Sequence, residues 1–496
     1  MITYKSPDAV HYFDSIGEFF YARMKSRAEK CGEYRKSRAE KCRDRRKSRA
    51  KKCYNKEKTF CLGGGILERE LMKSLVKWKT APRRKPLILK GARQVGKTWL
   101  MKEFGRRYFQ NIVYINFDNN PRMQQIFEQD YDIRRILLAF QVETGESIRP
   151  QETLIILDEV QEAPQAISAL KYFCENAPEY PVIAAGSLLG IALHEGISFP
   201  VGKVTTMQLY PLSFYEFLRA VHEERLADLL DQRDPAMLKV FHDRFVTWLK
   251  NYYYIGGMPE AVATFAETSD YSVVRQIQND LIPLYEADFS KHIITAEIPR
   301  VRMVWNAIPL QLAKENKKFF FGQVKKGARS KDFEIAIEWL VDCGLIAKVN
   351  RVSKPAMPLK AYAEQNAYKL FFLDVGLLAA ISELDVRSLL DGNDIFVEFK
   401  GALTEQYVCQ QLLSETSYNP YYFTSPSNRY EIDFMIQKGR EVIPLEVKAE
   451  QNLQSKSLKA YVEKYHPAKA IRFSMSDYQE QEWVTNIPLF AIRWLT

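Results

Sequence analysis

The 496-residue sequence predicts a multidomain α/β protein, and three observations carry that expectation. Short apolar runs bounded by polar turns alternate with stretches of helical periodicity between Leu87 and Ser187. One of those runs opens onto Gly91-Ala92-Arg93-Gln94-Val95-Gly96-Lys97-Thr98, and another ends in Asp158-Glu159. A second helix-and-strand alternation follows Phe396 and includes Leu445-Glu446-Val447-Lys448.

At 46% hydrophobic and 13% aromatic content the chain can bury sizeable cores, enough for about three domains. No apolar run approaches the ~18 residues of a membrane span. The opening M-I-T-Y-K-S-P-D lacks the charged-then-apolar pattern of a secretion signal, so a cytoplasmic location without membrane attachment is expected. The net charge of +10 invites a nucleic-acid reading, but residues 21–58 hold 17 Lys/Arg against 5 Asp/Glu, a net of +12, leaving −2 for the remainder. Cys31, Cys42, Cys53 and Cys61 fall in or beside that stretch, and Cys174, Cys343 and Cys409 are scattered as a reducing compartment allows.

Residues 1–64 form a basic extension built on a tandem repeat, K-S-R-A-E-K-C-G-E-Y-R and two near copies. Its only apolar recurrences are Ala and Cys, too little to bury a helix face. A basic nucleic-acid arm and a translated DNA repeat ahead of the true start are both open readings, the second favoured. Cysteines this widely spaced argue against a structural zinc site, which uses short C-x₂₋₄-C pairs. The coherent fold is expected to begin near Leu67-Glu68-Arg69-Glu70.

Leu67–Trp78 has helical spacing, and Leu87-Ile88-Leu89 reads as a buried strand. The octapeptide Gly91 to Thr98 then satisfies G-x-x-x-x-G-K-[ST] in the required setting of strand, loop and helix. Gly91 and Gly96 let backbone N–H groups approach an anion, and the following helix adds the positive end of its dipole. Lys97 would reach the β- and γ-phosphates of ATP, and Thr98 would ligate Mg²⁺. Val113–Phe117 is a second strand, 121–147 reads as helical, and Leu154-Ile155-Ile156-Leu157 is a buried strand ending in Asp158 and Glu159. There Asp158 would help hold Mg²⁺ and Glu159 would activate water. Ser187, closing the strand Pro181–Gly186, is a candidate γ-phosphate sensor or an ordinary strand-end turn.

From L-K-G-A-R-Q-V-G-K-T, L-I-I-L-D-E-V-Q, A-A-G-S, L-Y-P-L-S-F-Y-E-F-L, G-G-M-P, L-F-F-L-D-V-G-L-L and L-E-V-K in that order, the chain resembles bacterial and archaeal ATPases. In these, an AAA-type P-loop core is joined to a C-terminal restriction-endonuclease-like domain. The resemblance implies an AAA-type core at 65–212, a helical lid-like region at 213–298 and an endonuclease-like domain at 361–496. It also implies ATP with Mg²⁺, and a possible homo-oligomer. Where many relatives have Gly-Arg, this chain has Gly202-Lys203, so no arginine finger is assigned.

Residues 299–360 read as winged-helix-like, with Asp332–Cys343 as the second helix and Lys325, Lys326, Arg329 and Lys331 ahead of it. DNA contact and an interdomain scaffold are both open for it. Further on, Glu405 sits on a predicted helix, Asp433 on a strand, and Glu446 and Lys448 on one face of the next strand. That is the D…(D/E)-x-K arrangement of Mg²⁺-dependent nucleases, with Asp433 and Glu446 as metal ligands, Lys448 beside the attacking water and Glu405 as a candidate third acidic member. The competing reading is an amphipathic hairpin with a surface ion pair, used only for contacts.

Overall fold

The computed structural model describes residues 67–187, 199–293, 295–314, 318–387, 397–450 and 453–496. The repeat and the expectations attached to residues 1–64 lie outside the described residues. Contacts divide the chain into two units, Met1–Cys61 and Leu62–Thr496, and every described element belongs to the second.

Its first layer is a parallel sheet of β1 (Leu87–Lys90), β2 (Asn111–Asn116), β3 (Thr153–Asp158), β4 (Val182–Gly186) and β5 (Thr205–Gln208), in the order β2-β3-β4-β1-β5. Every residue of β3 and β4 is buried, which is why these strands read as unbroken apolar runs rather than as alternations. Ile88, Val113, Ile155 and Val182 pack on one side of the sheet; Leu87, Leu89, Leu154 and Ile183 pack on the other, with Leu100 and Phe104 of the helix Lys97–Tyr108. Because β4 lies between β1 and β3, the phosphate loop and the acidic strand end flank the Gly186-Ser187 turn. The segment expected to be helical over 121–147 is two helices, Pro121–Gln129 and Ile133–Thr144, because the backbone turns extended at Asp130 and Asp132 caps the next helix by accepting from the Arg134 N–H.

Helices fill the region from Phe214–Ala220 to Tyr271–His292. The break at Gly256-Gly257-Met258-Pro259 has a specific cause. Gly256 has φ +73°, and a Cβ there would lie 2.0 Å from Asp374 Oδ1. The Gly257 N–H donates to Asp374 Oδ2 at 2.6 Å, and Asp374 also accepts from the N–H groups of Gly376 and Leu377 and from Gln410 Nε2. Two motifs with little intrinsic chemistry, G-G-M-P and L-F-F-L-D-V-G-L-L, are thus the halves of one buried clasp.

The second sheet has eight strands: β6 (Ile346–Val352), β7 (Ala363–Phe372), β8 (Tyr421–Thr424), β9 (Glu431–Lys438), β10 (Glu441–Val447), β11 (Ile471–Ser474), β12 (Gln479–Glu480) and β13 (Thr485–Pro488). Their order is β12-β13-β11-β10-β9-β8-β6-β7. The helices Ile298–Leu312 and Glu334–Asp342 and the hairpin β6-β7 follow the order expected of a winged helix, but β6 also pairs parallel with β8. The β6-β7 hairpin is therefore continuous with the C-terminal sheet, and residues 360 and 361 lie in the connection between its two strands. On the helix Glu334–Asp342, Ala336, Ile337, Trp339 and Leu340 are buried, and Ile335 is 66% exposed.

Candidate functional site

The phosphate loop connects β1 to the helix Lys97–Tyr108 through residues that β-strand and helix geometry exclude. Gly91 has φ +154°, Gln94 +65° and Gly96 +91°. A Cβ at Gly91 would come within 2.4 Å of the Leu209 carbonyl oxygen, so only glycine fits where β5 ends against the loop. Ala92 and Val95 are buried, anchoring the arc to the core.

Within this arc the Lys97 ammonium donates to Gly91 O at 2.9 Å, Ala92 O at 2.8 Å and Ser187 Oγ at 2.8 Å. Burial pulls its pKa down to about 8, although the negative charges of Glu159 and Asp158 support protonation and Arg93 opposes it. Thr98 Oγ1 donates to Asp158 Oδ2 at 2.6 Å, and the Tyr114 hydroxyl donates to the same oxygen at 3.0 Å. Glu159 sits in the left-handed region at φ +53°, turning its carboxylate off the strand axis, and Gln161 Nε2 donates to Glu159 Oε2 at 2.6 Å. A cleft of about 420 Å³ brings together Arg93, Gln94, Gly96, Lys97, Thr98, Asp118, Glu159, Gln161 and Ser187. The Thr98 hydroxyl, which lines the cleft, and the Asp158 carboxylate it bonds are hard oxygen donors of the kind Mg²⁺ takes.

Several contributors were not found from the sequence. Arg69 is buried behind the loop, where it donates to Val95 O at 2.9 Å and Tyr210 O at 2.5 Å and pairs with Glu216 at 3.1 Å. Gln161 lies two residues beyond Glu159, inside the L-I-I-L-D-E-V-Q motif, whereas Arg69 carries no local signal. Lys203 stands outside the cleft, paired with Glu175 at 2.8 Å.

The C-terminal set is arranged differently. With Leu445 opposite Phe434 in the antiparallel β9-β10 pair, Glu446 and Asp433 are the next facing residues and share a face. Each carboxylate nevertheless has an internal partner. Asp433 Oδ2 accepts from the Val447 N–H at 2.7 Å, and Glu446 Oε2 accepts from the Leu458 N–H at 3.1 Å, near the start of the helix Lys456–Tyr465. Lys448 Nζ lies 2.7 Å from Glu446 Oε1. Glu405, on the helix Val397–Glu415, turns to the buried Lys369, whose ammonium is 3.6 Å from it and 2.7 Å from Glu431. Burial opposes the charge of Lys369, but Glu405, Glu431 and Asp433 together hold its pKa above the usual lysine range. Among the described residues no group of three or more His, Cys, Asp or Glu is arranged to hold a metal ion. Each of the three carboxylates thus meets a donor or an ammonium of the chain itself: Asp433 the Val447 N–H, Glu446 the Leu458 N–H and Lys448, and Glu405 the Lys369 ammonium. The four basic residues Lys325, Lys326, Arg329 and Lys331 are all exposed.

Residues 83–218 match the AAA domain family, residues 246–388 a domain of unknown function (DUF8612), and residues 400–492 another (DUF4143). A search of the curated proteins finds no match. Similar solved structures include the Walker-type ATPase PABY2304 of Pyrococcus abyssi, at 14% identity and a TM-score of 0.41, covering 64% of this chain and 96% of that one. Others are a RuvB variant of Thermotoga maritima (14%, 0.26; 59% and 92%) and Cdc6p of Pyrobaculum aerophilum (14%, 0.24; 67% and 97%). The AAA match over 83–218 spans the whole parallel sheet and the phosphate loop, so this part of the chain is similar to an AAA domain. No helix among the described residues is long and apolar enough to cross a membrane.

Proposed function

We propose that this chain binds ATP with Mg²⁺ and hydrolyses it to ADP and phosphate, using turnover to change its own conformation rather than to make a product. The observation that carries this reading is the Thr98–Asp158 contact of 2.6 Å, which fixes Thr98 on the wall of the cleft that Lys97 and Glu159 also line. Loop N–H groups and Lys97 offset the charge of the β- and γ-phosphates. Thr98 and Asp158 would hold Mg²⁺, whose charge further neutralises the phosphate oxygens. Glu159, oriented by Gln161, accepts a proton from water attacking in line with the leaving oxygen, and Ser187, bonded to Lys97, senses the γ-phosphate.

We read the C-terminal domain as a nuclease-like scaffold used for contacts, because the carboxylates a nuclease needs for metal are engaged by N–H groups and ammoniums. Phosphate release measured alongside nicking of supercoiled, linear and single-stranded DNA tests both readings. ATP turnover lost in Lys97→Ala and no Mg²⁺-dependent nicking are expected. Absence of turnover in the unaltered chain would reject the ATPase reading, and nicking that disappears in Asp433→Ala would reject the scaffold reading. Sizing with and without nucleotide tests assembly into a homo-oligomer.

A further inference from the structure

Arg93 is the third residue of the phosphate loop and, among the described residues lining the nucleotide cleft, the one arginine. Its backbone and side chain are both held by the 22-residue helix Tyr271–His292. The Tyr285 hydroxyl donates to Arg93 O at 2.9 Å, and one turn later Asp288 Oδ1 lies 3.0 Å from Arg93 Nη1. Asp288 is 8% exposed, so this is an ion pair shielded on its acidic side. The guanidinium is only partly used, since its buried Nε has no hydrogen-bond partner. Its charge also reaches Lys97, whose protonation it opposes. Arg93 therefore stands between the cation that meets the terminal phosphates and a carboxylate on a distant helix.

We propose that the Arg93 side chain reads the γ-phosphate, its guanidinium exchanging Asp288 for a γ-phosphate oxygen when ATP is bound and staying on Asp288 when ADP is bound. This rests on the ATPase reading and adds to it a residue that discriminates triphosphate from diphosphate. A terminal phosphate carries more negative charge than one carboxylate and accepts several N–H bonds, so it competes well for an arginine fork. The exchange removes the side-chain half of the tie between the loop and the helix Tyr271–His292, leaving the Tyr285 bond to Arg93 O as a pivot. That helix also holds the G-G-M-P break, through Gln278 Nε2 donating to Tyr254 O at 2.9 Å and Ile255 O at 2.8 Å, next to the Asp374 clasp. The nucleotide state thereby reaches the C-terminal half of the chain.

The test measures the affinities of the full chain for fluorescent ATP and ADP analogues with Mg²⁺, in the unaltered protein, Arg93→Ala and Asp288→Asn. Arg93→Ala is expected to weaken ATP binding by about tenfold or more and ADP binding much less, the size of one charge-assisted hydrogen bond. Asp288→Asn removes the competing charge without changing shape, and is expected to raise the ATP-to-ADP affinity ratio by about threefold or more, on the order of one partly exposed ion pair. Equal losses of ATP and ADP in Arg93→Ala, or a ratio unchanged or lowered in Asp288→Asn, overturns the proposal. An unaltered chain that binds neither nucleotide overturns the ATPase reading and this one with it. A chain that binds both with an unmoved ratio overturns this one alone.

Discussion

The Thr98 hydroxyl, on the first turn after the phosphate loop, donates to Oδ2 of Asp158, the last residue of β3, at 2.6 Å. Two segments sixty residues apart thus meet at one oxygen pair. If these oxygens are also the Mg²⁺ site, Asp158→Asn and Thr98→Val should each raise the Mg²⁺ concentration needed for half-maximal ATP turnover by about tenfold or more. Unchanged Mg²⁺ dependence in both variants would remove them from the metal site.

Lys97→Ala should abolish detectable ATP binding, because the point charge on the β- and γ-phosphates is gone. The native lysine also makes a pH prediction. With its folded-state pKa lowered to about 8 from 10.5 by burial, the unfolded chain binds more protons across that window. This group therefore makes stability rise with pH between about 8 and 10.5, while ATP affinity falls as the ammonium deprotonates. Binding isotherms from pH 7 to about 9.5 should show the fall beginning near 8, at most about tenfold per unit. A flat profile would contradict the role.

Glu159→Gln should bind ATP and turn it over about 10²-fold more slowly or worse, since an amide cannot take the proton from water. Gln161→Ala should lose less, because it only orients the carboxylate through the 2.6 Å bond. Near-normal turnover in Glu159→Gln would exclude it as the base.

Asp374→Ala should destabilise the fold by about 3 kcal/mol, as it strands the buried N–H groups of Gly257, Gly376 and Leu377 together with Gln410. Gly256→Ala should also destabilise, because its Cβ would meet Asp374 and its φ is positive. Denaturant midpoints of the two variants within error of the unaltered chain would mean that the clasp contributes nothing.

Deleting residues 1–64 should leave melting temperature and ATP turnover unchanged, since recurring Ala and Cys cannot add a face to a core. If the basic stretch binds nucleic acid, the deletion should also flatten the salt dependence of that binding. A large loss of stability on truncation would show that the extension packs on the fold.

The chain's local order determined the phosphate loop, the acidic strand end, the alternation behind the parallel sheet and the β9-β10 hairpin. In each case the signal lies in contiguous residues: Gly91, Gly96, Lys97 and Thr98 are one octapeptide, and Leu154 to Asp158 are one buried run. Tertiary structure alone decided where long-range donors go. Arg69 reaches Val95 O, Asp288 reaches Arg93, and Asp374 ties the Gly256-Gly257 break to the helix Val375–Ile381. It also decided the fate of the C-terminal carboxylates. Spacing placed Glu446 beside Lys448, but a backbone N–H on the helix Lys456–Tyr465 and the buried ammonium of Lys369 now occupy the acidic groups that a metal would need. A buried carboxylate must find partners from whatever segment packs against it, and periodicity along the chain cannot specify which segment that is.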